Sequence, residues 1–189
     1  MKKLIVGISG ASAAIYGIRM LEALRTAKAE SHLVISEASK KIIPLETTYE
    51  VAGVEALASR VYPIEDIGAA IASGSFQTDG MVIIPCSMKS LSAVANSYNE
   101  NLLVRAADVT LKEGRRLVLV VREAPLHRGH LRLMLAAAEM GAIIYPPMPA
   151  FYSNPKTIDD LVNHTVGKIL DLFGIEHDLL HRWLGTETP

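Results

Sequence analysis

Short, unbroken apolar runs recur along this chain, and each gives way to a segment with helical spacing. The runs cover residues 4–7, 32–35, 81–85, 117–121 and 142–145. Continuous rather than alternating hydrophobicity marks strands covered on both faces. After the first run, Ala14, Gly17, Ile18, Leu21 and Leu24 share one helical face; after the fourth, Leu131, Met134, Leu135 and Ala138 do. Both stripes are expected to face inward. Thr157 and Asp160 have capping-box spacing. Ile158, Leu161, Val162, Ile169 and Phe173 form the stripe of the helix that follows, and Gly174 is its expected stop. Strands alternating with helices predict an α/β fold with a mainly parallel sheet, whose ligands bind beyond the C-terminal strand ends. The length of 189 residues predicts one domain over 1–189, with a tail from about 175.

Composition narrows the function. Half the residues are hydrophobic but only 5% are aromatic, so the core is aliphatic. A formal net charge of -1 gives no reason to expect a nucleic-acid partner. The lone cysteine, Cys86, excludes an internal disulfide and fits a reducing cytoplasm. The Lys2-Lys3 pair precedes too short an apolar run for a signal peptide, and no segment has membrane-spanning character. A mean hydropathy of +0.26 in such a chain suggests subunit contacts.

The loops after the predicted strands hold the candidate chemistry. Gly7-Ile8-Ser9-Gly10-Ala11-Ser12-Ala13-Ala14 is rich in small residues that admit a ligand to the backbone, and a phosphate there would accept from Ser9 or Ser12. It matches neither the dinucleotide fingerprint nor a P-loop, and a plain packing turn explains it equally well. Ser36 reads either as a helix N-cap or as a ligand contact. The segment Ser87-Met88-Lys89-Ser90 offers hydroxyls and backbone donors suited to a flavin edge, or again an N-cap, with Cys86 as a small buried hydrophobe. Arg122-Glu123 is more specific: a charged pair ends an apolar strand at the expected ligand crevice. Tyr152, after a proline-rich loop, is either core or a phosphate contact. His127 and His130 lack a third metal ligand, Asp159-Asp160 suits a helix first turn, and the Lys112, Arg115, Arg116 cluster reads as a solvated helix end.

Taken together, the motifs resemble the UbiX family of flavin prenyltransferases. They are Gly7-Ile8-Ser9-Gly10-Ala11-Ser12, Leu45-Glu46-Thr47, Ser73-Gly74-Ser75-Phe76, Pro85-Cys86-Ser87, Arg105-Ala106-Ala107-Asp108, Leu111-Lys112-Glu113, Arg122-Glu123-Ala124-Pro125, Pro149-Ala150-Phe151-Tyr152 and Arg182-Trp183. The resemblance implies a Rossmann-like (flavodoxin-like) three-layer sandwich. It implies a cytoplasmic enzyme that uses no metal and joins a dimethylallyl group from dimethylallyl monophosphate to N5 and C6 of reduced FMN. The product would serve a partner decarboxylase, and the chain would form a dodecamer with sites between subunits. Gly10, Ala11, Ser12, Ser36, Ser87, Met88, Lys89, Ser90, Arg105 and Arg122 would lie at the flavin. Lys112, Arg122, Tyr152 and Lys168 would gather at the prenyl phosphate. Glu46 and Glu123, with Ser12, would be catalytic.

This sequence departs from the family's usual pattern at two places. It has Ala13 where glycine is common, which crowds the loop or strains a turn at positive φ. It has Lys168 where arginine is common, which keeps the charge but not the bidentate fork. The alternatives are an FMN-dependent cysteine decarboxylase, an aromatic-acid decarboxylase and a non-catalytic FMN carrier.

Overall fold

The structure is a computed structural model that describes residues 1–180, 182 and 185. Six strands form one parallel sheet in the order β3-β2-β1-β4-β5-β6. They are β1 (Lys3–Ile8), β2 (Glu30–Ile35), β3 (Arg60–Tyr62), β4 (Gly80–Cys86), β5 (Arg116–Val121) and β6 (Ile143–Ile144). The helices are α1 (Ile15–Thr26), α2 (Glu37–Glu46), α3 (Val51–Glu55), α4 (Met88–Ala95), α5 (Leu102–Lys112), α6 (Arg128–Glu139) and α7 (Ile158–Leu172). The strand order reverses between β1 and β4, so the crevice at their C-terminal ends is the natural ligand position.

The sheet has a core on each face, which explains the unbroken apolar runs. Leu4, Val6 and Ile8 pack with Ile18, Leu21 and Leu24 of α1 and with Val166, Ile169 and Leu170 of α7. Ile5, Met81 and Ile83 pack on the other face with Leu91 of α4 and Leu103 and Ala107 of α5. Helix α1 lies so close to the sheet that a Cβ at Gly17 would meet the Ile84 carbonyl oxygen at 2.5 Å. The Thr157–Asp160 capping box is present, and Gly174 follows α7 at φ +62°. Among the described residues, no helix is long and apolar enough to cross a membrane.

Two expectations need correction. Most of the α6 stripe faces outward: Leu131 and Leu135 are 52% and 60% exposed and Ala138 is exposed, whereas Met134 packs partly buried against the core and Ala137 is the buried residue of that helix. An apolar period shows that a face exists, not that this chain covers it. Ile158 is also exposed, because α7 meets the core only from its second turn. Trp183 lies outside the described residues. Arg182, beside it, pairs with Asp171 through its two terminal guanidinium nitrogens, at 2.8 and 3.0 Å.

Candidate active site

Three of the helices that begin at the C-terminal edge of the sheet, α2, α4 and α5, do so on side-chain caps beside one cleft. Ser36 accepts from Ser39 N–H at the start of α2, Ser87 from Ser90 N–H at α4, and Asn101 from Val104 N–H at α5. The capping reading of Ser36 and Ser87 is therefore correct, and both also line a cleft of about 900 Å3. That volume falls in the range of small-molecule and cofactor sites. The three N-terminal helix dipoles make the cleft a favourable place for an anion.

The first loop forms one wall. Gly10, Ala11 and Ser12 line the cleft, and a Cβ at Gly10 would meet Ala38 Cβ at 2.5 Å, so glycine is required there by space. Among the described residues, the Gly10 and Ser12 N–H groups have no acceptor. Ser9 is not available to a ligand. Its hydroxyl is buried, donates to the Pro85 carbonyl at 3.0 Å and accepts from Ser87 N–H at 2.8 Å. It ties the β1 loop to the β4 loop across the switch point. We expect Ser9→Ala to destabilise the protein by about 1–3 kcal/mol, because it strands the Ser87 N–H without an acceptor. A thermal melt checks this; an unchanged melting temperature would show that the tie does not matter.

Ala13 sits at φ +78°, the region that favours glycine, and its N–H donates to Glu46 Oε2 at 2.6 Å. A side chain there costs about 1–2 kcal/mol, partly offset by the greater freedom that glycine has when unfolded. Ala13→Gly should therefore raise the melting temperature by about 1–4 °C. A lower melting temperature would contradict the strain.

The far wall carries the charges. Arg122 and Glu123 follow β5 and line the cleft. Glu123 Oε1 accepts from Ala124 N–H at 3.0 Å. Among the described residues, Arg122 has no ion-pair partner. Met88, Lys89 and Ser90 complete this side, with Lys89 paired to Glu100 at 3.2 Å. Cys86 is fully buried and its thiol is pushed up to about 12 by that burial, so it is an inert hydrophobe.

The remaining candidates lie elsewhere on the chain. Glu46 is exposed at the end of α2 and is held to the first loop through Ala13. Arg105 pairs with Asp108 along α5. Lys112 ends α5, where it pairs with Glu113 beside Gly74. Leu103 of the same helix lines the cleft, so the helix rise puts Lys112 roughly 14 Å away from it. Tyr152 and Lys168 come together around His164 of α7, outside the cleft lining. His127 caps α6, accepting from Gly129 N–H, and its ring lies 3.5 Å from that of His130.

The sequence reading did not find Ile64, Glu65, Ile67 or Asn101, all of which line the cleft. The first three follow β3, a three-residue edge strand with no apolar run. Asn101 did carry a signal, a capping residue just before an apolar helix start.

The Flavoprotein family matches residues 1–170. Flavin prenyltransferase UbiX of Thauera aromatica is 57% identical over 185 residues, 98% of this chain and 95% of that protein. The chain belongs to the UbiX family of flavin prenyltransferases. AnUbiX (PadA1), solved in complex with FMN and dimethylallyl pyrophosphate, superposes with a TM-score of 0.97 at 46% identity, over 98% of this chain and 99% of that one. A dodecameric FMN-dependent UbiX-like decarboxylase from Escherichia coli O157:H7 gives 0.94 at 52% identity, over 97% and 100%. The strand order, the cleft at the switch point and the small-residue loop are thus features of a UbiX-family fold.

Proposed function

We propose that this chain joins a dimethylallyl group from dimethylallyl monophosphate to N5 and C6 of reduced FMN, making a prenylated flavin for a partner decarboxylase. One observation carries the reading: one cofactor-sized cleft combines a backbone-donor cradle with a cation, Arg122, that has no ion-pair partner among the described residues, and an adjacent carboxylate, Glu123. The residues fit FMN. Gly10, Ala11 and Ser12 admit it to the backbone, while Ser36, the 87–90 segment and Arg122 supply donors around its edge. Reduced FMN, when bound, supplies the nucleophilic nitrogen.

The chain's own groups supply the rest. Arg122 faces the charge that grows on phosphate as the allylic C–O bond breaks, and one preorganised donor in that role is worth about 3–4 kcal/mol. Lys112, Tyr152 and Lys168 add charge and a hydroxyl at the same phosphate. Glu123, with one carboxylate oxygen held by Ala124 N–H, moves protons at the prenyl alkene and at C6. Glu46 is the second carboxylate available for this, and Ser12, which lines the cleft, adds a hydroxyl from the first loop.

Because Lys112 lies far from its own chain's cleft, the reading places it in a neighbour's. That requires an oligomer, and the outward apolar face of α6 supports one. We infer a dodecamer, as its relative forms, acting in the cytoplasm as a single flavin-binding domain over 1–189.

The name of the dodecameric relative favours a second reading, decarboxylation by the chain itself. One experiment separates the two. The purified protein is incubated anaerobically with reduced FMN and dimethylallyl monophosphate, and the filtered flavin is given to an inactive, flavin-free decarboxylase of this dependence. The transferase reading expects CO2 release only after that handover. CO2 released from aromatic acid or peptidyl cysteine by this chain alone would overturn it.

A further inference from the structure

We propose that Arg182 is a positioning residue: it occupies the Asp171 carboxylate and so keeps that carboxylate from drawing the Lys168 ammonium away from the donor phosphate. The inference rests on the reading of Lys168 as a phosphate contact. Lys168 and Asp171 stand three residues apart on α7, a spacing at which a helix brings opposite charges together. Yet the ammonium is 3.9 Å from Asp171 Oδ2, beyond the length of a charge-assisted hydrogen bond. The carboxylate is spent on other donors. Arg182 reaches Oδ1 at 2.8 Å and Oδ2 at 3.0 Å, in the paired geometry that a guanidinium and a carboxylate favour. His177 Nδ1 accepts from Leu179 N–H at 3.1 Å, so the ring proton is on Nε2, which donates to Asp171 Oδ1 at 3.2 Å.

The charges follow from this geometry. The Arg182 guanidinium holds the Asp171 carboxyl below its ordinary range, outweighing the burial that opposes it. Asp171 is thus an anion that Arg182 already neutralises. Among the described residues, Lys168 has no other ion-pair partner, so its charge is left for an incoming anion. Without Arg182, Asp171 would keep only the neutral donor of His177, and Lys168 would be the cation left to pair with it. The segment that carries Arg182 does not depend on this ion pair for its place. A Cβ at Gly167 of α7 would meet His177 Cε1 at 2.7 Å and Leu180 Cδ2 at 2.8 Å, Ile175 is buried, and Leu179 packs on the core. The Arg182 side chain is 55% exposed, so replacing it leaves that packing intact.

Removing the competing carboxylate separates this role from a structural one. With reduced FMN saturating, Arg182→Met should raise the KM for dimethylallyl monophosphate about 5-fold, the most that a partly exposed ion pair is worth, with kcat within about 2-fold and FMN affinity unchanged. Asp171→Asn should leave KM within about 2-fold of the parent, and adding it to Arg182→Met should restore the parent value, because no carboxylate then competes for Lys168. In a Lys168→Met background, Arg182→Met should change nothing further. An unchanged KM in Arg182→Met, a double variant as weak as Arg182→Met, or a loss in Asp171→Asn equal to that in Arg182→Met, as a mere latch for the chain end would give, would overturn the role. A crystal structure of Arg182→Met reads the same competition without turnover. Lys168 Nζ should close to within about 3 Å of Asp171, and a gap still near 3.9 Å would overturn the proposal. If the parent protein makes no product, the transferase reading has failed instead, and that distance alone decides whether Arg182 governs Lys168.

Discussion

Glu123→Gln is expected to cut formation of the cyclised flavin by about 10²–10⁴-fold, the usual value of a positioned acid or base. The amide oxygen can still accept from Ala124 N–H, and the side chain is exposed, so the fold and the cleft should survive. Attack at N5 needs no proton from Glu123. The singly joined product should therefore accumulate. It is an isomer of the cyclised one, so chromatography and absorbance, not mass, must tell them apart. Normal amounts of cyclised product from this variant would remove Glu123 from the mechanism and leave Glu46 as the carboxylate to examine.

Lys112→Met and Arg122→Met should each lower kcat/KM by about 10²-fold or more, since in the proposed mechanism each removes a cation from the leaving phosphate. The informative result comes from mixing them. Lys112 lies at the opposite end of α5 from Leu103, which lines its own cleft. If a neighbouring subunit supplies Lys112, co-assembly of the two variants creates sites that keep both cations. Random mixing in equal amounts should restore about a quarter of the parent activity, as heterologous sharing predicts. Mixed assemblies as inactive as either variant alone would show that Lys112 serves no partner's cleft.

The fold was largely legible because burial on both faces leaves strands with no polar alternation. The runs that predicted β1, β2, β4 and β5 correspond to strands whose residues are nearly all buried. β3 escaped because Arg60–Tyr62 is short, lies at the sheet edge and is mostly exposed. The stripe on α6 misled because periodicity cannot say whether the same chain or another covers an apolar face. In the cleft, the loops after β1, β2, β4 and β5 were found from strand ends alone. Ile64 and Ile67 were not, because they come from an irregular connection. Ser9 was misread as a ligand donor, since only the packed structure shows its hydroxyl spent on Pro85 and Ser87. The strain at Ala13 was anticipated from chemistry and appears as φ +78°. Lys112, Tyr152 and Lys168 came from family resemblance, and within one chain they do not reach the cleft together.

The central claim is prenyl transfer to flavin, and the most direct measurement is mass spectrometry of flavin extracted after anaerobic incubation of the purified protein with reduced FMN and dimethylallyl monophosphate. The account predicts a flavin heavier by one C5 unit, formed only when protein and both substrates are present. Unaltered flavin, recovered from protein shown to have bound FMN, would contradict it.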